Sequence, residues 1–291
     1  MSIRENALKG QGEMRKITIT DTTLVHAASM HNCGLTFMQK TDVARLLDKI
    51  KVDIIEMENM ANPKVDNLLV KSIVSGLENS RISVPVALGE TVVPVAGALE
   101  TAKGYRLRVS APLSAVRMEY IYHKKPAAIK DMTLASLNAC RKYTSDIEFC
   151  ADDATRSDRE FLYEMIKAAI ENGATTVTLC EEAGWMLPEE FGDFVKEVRE
   201  NVPELEGVNL AVRCSDDISL ANALAQAAIS AGVSEVKTCA PRHGVTELSG
   251  LVKLLERRGE SLGAGCDVTN VNIASTVEKI QDMFNLAKED D

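Results

Sequence analysis

The sequence predicts a single α/β domain, a (β/α)8 TIM barrel, on three observations. Short β-rich runs recur along all 291 residues, each is followed by a helical stretch, and no break in composition divides the chain. The eight strands are expected at 16–20, 52–57, 84–89, 105–110, 146–150, 175–180, 208–213 and 234–239. Most are nearly continuous in apolar residues, the pattern of parallel strands covered by helices. The helices between them carry apolar stripes: Val43, Leu46, Leu47 and Ile50; Phe161, Met165 and Ala168; Phe191, Phe194, Val195 and Val198. Boundary signals agree. Residues 157–160 read as a capping box, Pro188 sits at a first helical position, and Gly173 and Gly232 stand just past helix ends. A doubly wound open sheet is the alternative, since counting strands does not prove closure. No G-x-G-x-x-G or G-x-x-x-x-G-K-S/T follows any strand, which weighs against its nucleotide-binding version.

Residues 1–15 are polar and aperiodic and are expected to form a mobile lead-in. The barrel is expected over 16–260, with an extension and one helix over 261–291. That helix, 273–288, aligns Ile273, Val277, Ile280 and Phe284 on one stripe, which needs the barrel flank or a partner subunit to cover it. A dimer is expected through this stripe, with a second copy or with a catalytically intact relative.

Composition narrows the function classes. With 33 Lys and Arg against 43 Asp and Glu, the formal net charge is −10, which disfavours nucleic acid or an anionic membrane as partner. No apolar run approaches the roughly 18 residues of a membrane span. The seven cysteines (33, 140, 150, 180, 214, 239 and 266) are odd in number and form no C-x-x-C pair, so a reduced, cytoplasmic protein with free thiols is expected. Cys150, Cys180 and Cys239 stand at strand ends, but with no metal-ligand spacing they read as packing residues.

Barrel chemistry gathers at the C-terminal ends of the strands. Collecting those ends gives Asp21, His26, Glu56, Glu58, Glu90, Arg117, Asp152, Asp153, Glu181, Glu182, residues 213–217, Arg242 and His243, an unusually charged rim. Lys237, on the eighth strand, reads as a solvated or salt-bridged lysine before a Schiff-base one.

The stretch EFCADDATRSDREFL, 148–162, is the most specific in the chain. It resembles the signature of the isopropylmalate synthase and homocitrate synthase family, part of the DRE-TIM metallolyase group. Asp21-Thr22-Thr23-Leu24 is similar to that family's first-strand motif and VDIIE, 52–56, to its second strand. RMEYIYHKKP, 117–126, resembles the segment after its fourth strand, and segments 172–195 and 214–236 resemble its sixth and seventh βα units. The likeness runs over roughly residues 16–287 and implies a TIM barrel of common descent.

For chemistry, the resemblance implies a loss. The family's first motif continues with an Arg for the enolate and an Asp for a divalent cation, where this chain has Val25 and His26. Its His-x-His metal pair is Arg213-Cys214-Ser215, and the Asn of its last loop falls at Val245. A guanidinium offers only donors, so Arg213 stands where a hard cation needs ligands. The family's third-strand Arg is Glu90, a His after the fourth strand is Arg117, and a substrate-contacting Thr is Glu182. Asp152 replaces a Glu, while Thr155 and Arg156 are kept.

The residues expected to carry any remaining chemistry are His26, Asp152, Glu182 and Arg213. Asp21, Glu90, Arg117, Thr155 and Ser215 are expected around a small carboxylate or keto acid. No metal and no cofactor are expected, and side-chain ion pairs are expected to fill the former site, with Glu182 and Glu90 near Arg213. Three functions compete: a carboxylate-binding or regulatory pseudoenzyme, a metal-independent carbon–carbon lyase or acyltransferase, and an ordinary metal-dependent acyltransferase, in that order. The sequence ends one helix beyond the barrel, so the family's usual C-terminal feedback control is not expected.

Overall fold

The computed structural model describes residues 14–29, 34–60, 63–241 and 244–289. Residues 1–13 of the predicted lead-in over 1–15, Cys33, Arg242 and His243 lie outside these, and the lead-in ends earlier than predicted because Arg15 is already in a strand. The chain opens with a short strand β1 (Arg15–Lys16) and then enters a barrel strand β2 (Thr18–Asp21), followed by helices α1 (Thr23–Ser29) and α2 (Phe37–Lys49). Alternation continues through β3 (Ile54–Glu56), α3 (Pro63–Gly76), β4 (Arg81–Pro85), α4 (Val93–Ala98), β5 (Tyr105–Pro112) and α5 (Pro126–Cys140). Next come β6 (Ile147–Asp152), α6 (Arg159–Glu171), β7 (Thr176–Glu181), α7 (Pro188–Asn201), β8 (Asn209–Cys214) and α8 (Ala221–Ser230). The chain closes with β9 (Glu235–Thr238), α9 (Leu248–Leu262), a short β10 (Ala264–Gly265) and α10 (Ile273–Glu289).

Strands β2 to β9 form a closed barrel in chain order, with every neighbour parallel and β9 returning to β2 through Thr18↔Glu235 and Asp21↔Thr238. This settles closure against the open sheet. The first predicted strand is divided at Ile17. Its beginning pairs with Ala264–Gly265 outside the barrel, and the amide of Thr18 then turns to the carbonyl of Ser234. The predicted strand at 84–89 lies earlier, because the chain reaches Pro85 and then turns through Gly89 at φ +80°.

Helix boundaries follow local chemistry. Pro188 is the first residue of α7, and Gly173 and Gly232 adopt φ of +100° and +104° after their helices, where a side chain would be strained. The capping box over 157–160 is corrected by one residue. Asp158 is the N-cap and accepts from the amide of Phe161, while the hydroxyl of Ser157 donates to the carbonyl of Ala154 in the preceding turn. The buried face of α6 is accordingly Leu162, Met165, Ile166 and Ala169 rather than Phe161 and Ala168.

The C-terminal stripe needs no partner. Ile273, Ile280 and Phe284 are buried within this chain, where α10 packs on α2 and α9, so the stripe is not an exposed contact surface. No helix among the described residues is long and apolar enough to cross a membrane.

Two layers separate by strand alternation. Ile147, Phe149 and Ala151 of β6, Val177 and Leu179 of β7, and Leu107 and Val109 of β5 join the apolar shell beneath the helices. Their neighbours face the barrel axis, which is charged. Lys237, fully buried, pairs with Glu56 and, at 2.6 Å, with Glu148. Arg106 holds Glu235 at 2.6 Å and stands 3.6 Å from Glu148, while Arg108 stands 3.4 Å from Glu56. Three carboxylates thus face three cations. Hydroxyls of Thr178 and Thr20 donate to Glu148 and Glu235 at 2.6 and 2.7 Å, supplying the further hydrogen bonds a buried charge requires.

Candidate active-site mouth

Above this charged floor, at the C-terminal ends of the strands, two cavities open side by side and share Val25 and Arg213. One, of about 300 Å³, is lined by Thr22, Val25, His26, Glu56, Arg117, Glu182, Arg213, Ser215 and Val245 among others. The second, of about 610 Å³, runs past Glu58, Arg108, Ser110, Tyr122 and Asp152.

Between them lies a four-membered ion-pair chain. Glu182, whose side chain is 11% exposed, receives Arg213 on one oxygen and Arg117 on the other, the latter at 2.7 Å. The other arm of Arg117 stands 3.5 Å from Asp152, the longest of the three links. Two acids balance two guanidiniums, so this chain of four is electrically neutral. Burial pushes the Glu182 carboxyl above its ordinary range, with Arg213 and Arg117 pulling the other way and Asp152 adding to the rise. Arg213 is held well above its own range: burial opposes its charge, and Glu182 and Asp152 are among the groups that outweigh the cost.

Alternation decides which member of each acidic pair enters the mouth. Asp152 and Glu182 face inward. Asp153, at φ +57°, instead takes a two-point contact from Arg156 at 2.8 and 2.7 Å, and Glu181, which also touches the smaller cavity, accepts the amide of Gly184 at 3.0 Å. Both outer carboxylates therefore shape loops.

The predicted residues are distributed unevenly. His26, Arg117, Glu182, Arg213 and Ser215 share one cavity wall and Asp152 lines the other. His26 rides on α1, its amide bonded to the carbonyl of Thr22. Glu90 does not join them; its side chain is exposed in the turn after β4, and its expected place beside Arg213 is taken by Glu182 alone. Thr155 is buried in the turn after β6, on neither cavity wall.

Asp21 is fully buried at the end of β2, where it accepts the amide of Thr23 at 2.9 Å and caps the start of α1. Burial raises its carboxyl to about 7, against the pull of the Thr23 bonds, and neighbouring Glu56 raises it further. Trp185 is 66% exposed, with the Arg156 guanidinium 6.0 Å from its ring centre.

The sequence reading missed two constellations. The first is the axial network itself, although Arg106 and Arg108, like Glu235 and Lys237, alternate with apolar residues at the strand period. The second is a meeting of cysteines: Cys150 of β6 and Cys180 of β7 place their sulfurs 3.3 Å apart, with Asp152 4.0 Å from Cys180. Nothing in their spacing along the chain announces this, because the two belong to neighbouring strands.

A hard divalent cation does not fit the donors present at the positions the resemblance points to. Val25 and Val245 have none, Arg213 only donates, and both oxygens of the adjacent Glu182 are engaged by guanidiniums, leaving His26 as the imidazole of the set.

A closed parallel barrel with a charged mouth defines a (β/α)8 protein of the enzyme-bearing kind. The sequence model of the HMGL-like family matches residues 16–285, and the chain belongs to that family, within the DRE-TIM metallolyase superfamily. It is 32% identical over 278 residues to a 2-isopropylmalate synthase of Pyrococcus abyssi, covering 94% of this chain and 57% of that one. A 2-isopropylmalate synthase of Aquifex aeolicus is 34% identical over 242 residues, covering 83% of this chain and 46% of its own. The chain thus spans about half the length of these curated relatives. Among solved structures, hydroxymethylglutaryl-CoA lyase from Pseudomonas aeruginosa shares the fold with a TM-score of 0.73 at 15% identity, covering 93% of this chain and 92% of that one. The carboxyl transferase domain of Rhizobium etli pyruvate carboxylase does so at 0.70 and 16%, over 93% of this chain and 48% of that one.

Proposed function

We propose that this barrel is a descendant of the isopropylmalate and homocitrate synthases in which an internal ion-pair chain has taken the place of the hard divalent cation. Its role is then to bind a small carboxylate or keto acid, as a regulatory or ligand-binding protein rather than a metal-dependent acyltransferase. One observation carries the reading: Glu182 occupies Arg213 and Arg117 together, so the mouth satisfies its own charges. A metal in such enzymes acts as a Lewis acid on the substrate carbonyl, and a guanidinium held by a carboxylate does not replace it.

The test combines turnover and binding. With acetyl-CoA and a panel of keto acids, release of free thiol should be absent with or without Mg2+ or Mn2+. Calorimetry with keto acids and dicarboxylates should show binding that a chelator leaves unchanged. Metal-dependent thiol release approaching an ordinary turnover of about 10 s⁻¹ refutes the reading.

A second reading, a metal-independent carbon–carbon lyase or acyltransferase, draws on the shared wall of His26, Arg213 and Ser215. In it, His26 moves the proton and Arg213 stabilises the developing enolate. Turnover of a β-hydroxy or keto acid that survives chelation and is lost in His26→Asn would favour it.

A further inference from the structure

We propose that Cys150, Cys180 and Asp152 form a binding site for one thiophilic divalent cation of the zinc class, sharing Asp152 with the ion-pair chain and adding two thiols that the carboxylate-binding reading above does not use. All three are buried, come from adjacent strands, and have ligand atoms within 4.8 Å of one another.

The distances fit an ion better than a disulfide. Bonds of about 2.3 Å to sulfur and about 2.1 Å to a carboxylate, at tetrahedral angles, require roughly 3.8 Å between the sulfurs and roughly 3.6 Å from sulfur to oxygen. The structure has 3.3 Å and 4.0 Å, so these two edges change by about half an ångström, and the third, from Cys150 to Asp152, lies within 4.8 Å. A disulfide at about 2.05 Å would need the sulfurs to close by more than an ångström between strands whose spacing the ladder fixes. Water from the 610 Å³ cavity, which Asp152 lines, supplies the fourth ligand and the way in. Asp152 is also the member of the mouth that is held most weakly, by its 3.5 Å contact with Arg117.

Charge balance allows the exchange. Arg108 of β5, Asp152 of β6, Arg213 of β8 and Lys237 of β9 surround the thiols, with Glu182, just past β7, on Arg213 and Arg117 beyond Asp152. The hydrogen bond from Cys150, followed by burial, keeps Cys180 protonated far above the usual thiol range. The ion enters as M2+ + 2 RSH → M(SR)2 + 2 H+, in which two protons leave and two positive charges arrive. The net charge of this buried region is unchanged, and Mg2+, with no affinity for thiolate, does not compete.

The experiment titrates the reduced, chelator-stripped protein with Cd2+, following ultraviolet sulfur-to-cadmium charge transfer and proton release with an indicator dye. Expected are one ion bound, two protons released, displacement by Zn2+ and none by excess Mg2+. Cys150→Ser and Cys180→Ser should each weaken binding by more than the roughly 10–100-fold that loss of an outer partner costs. Cys266→Ser should leave it unchanged. X-ray absorption of the zinc-loaded wild type, which needs no variant to fold, should show two sulfur neighbours. Absence of binding, binding that survives in Cys180→Ser, loss in Cys266→Ser, or a zinc shell without sulfur overturns the proposal. Cadmium binding without carboxylate binding, or the reverse, separates this site from the function proposed above.

Discussion

If the mouth is occupied by its own side chain, emptying it should create a better carboxylate receptor. Glu182→Ala removes the acid that takes Arg213 on one oxygen and Arg117 on the other. Two charge-assisted contacts are worth about 1.5–3 kcal/mol each, so an incoming carboxylate must overcome about 3–6 kcal/mol in the wild type. The guanidiniums are about a quarter exposed and recover part of this from water, leaving a net competition of about 2–3 kcal/mol. At 1.4 kcal/mol per decade, Glu182→Ala should bind acetate or pyruvate roughly 30–150-fold more tightly. Calorimetry gives the affinity. Thermal unfolding gives an independent reading, since the variant should melt lower and be restored by added carboxylate, while the wild type barely responds. Because burial already raises the Glu182 carboxyl, lowering the pH should move the wild type towards the variant, its internal competitor becoming neutral before a more acidic ligand does. Equal affinities in wild type and variant, at every pH tested, refute the idea that Glu182 occupies the receptor.

Three further outcomes follow from buried groups. Lys237→Met strands Glu56 and Glu148 in the axis, and should cost about 3–5 kcal/mol, or roughly 6–20 °C in melting temperature; a loss below about 1 kcal/mol contradicts the network's role. Asp21 ionises near 3.8 when unfolded and near 7 when folded, so the unfolded chain carries fewer protons between those values and stability falls as pH rises through that window. Asp21→Asn should abolish this component, gaining up to about 4 kcal/mol over wild type above pH 7; matched stability profiles across denaturant titrations at pH 4 to 8 would rule it out. Ile280→Ala should lower stability by about 2–5 kcal/mol without changing the mass seen by light scattering, because that side chain is buried in its own chain; dissociation of an oligomer would restore the stripe as a contact.

The barrel was legible because its signals are local: a strand-length apolar run, a cap, a glycine after a helix as at Gly173 and Gly232. Family descent was legible in 148–162, and the neutral pairing of Glu182 with Arg213 was anticipated from exchanged charges. What stayed hidden depends on closure. Arg106 meets Glu235 and Lys237 meets Glu56 only when β9 is laid beside β2 and all eight strands surround one axis, so pairs 129 and 181 residues apart carry no local mark. Cys150 and Cys180 meet for the same reason. Glu90 misled because its place in the order of motifs suggested a mouth residue, whereas the turn after Pro85 leaves it in water. The cover of the stripe on α10, barrel flank or partner subunit, stayed open in the sequence because a helical period reports that a face is apolar without reporting what lies on it.

The charged axis also bears on how the chain finds its alignment. In an apolar barrel, a strand that slips by one residue exchanges one greasy side chain for another, and the error is mild. Here a slip of β9 would send Glu235 and Lys237 into the shell under the helices and turn Val236 inward, leaving Arg106, Glu56 and Glu148 each short of one counter-charge. Each of the six axial groups is therefore a check on the others, and a misthreaded barrel is penalised in several strands at once. Such a lock also constrains descent, because no one of the six can change sign or vanish alone without stranding a neighbour.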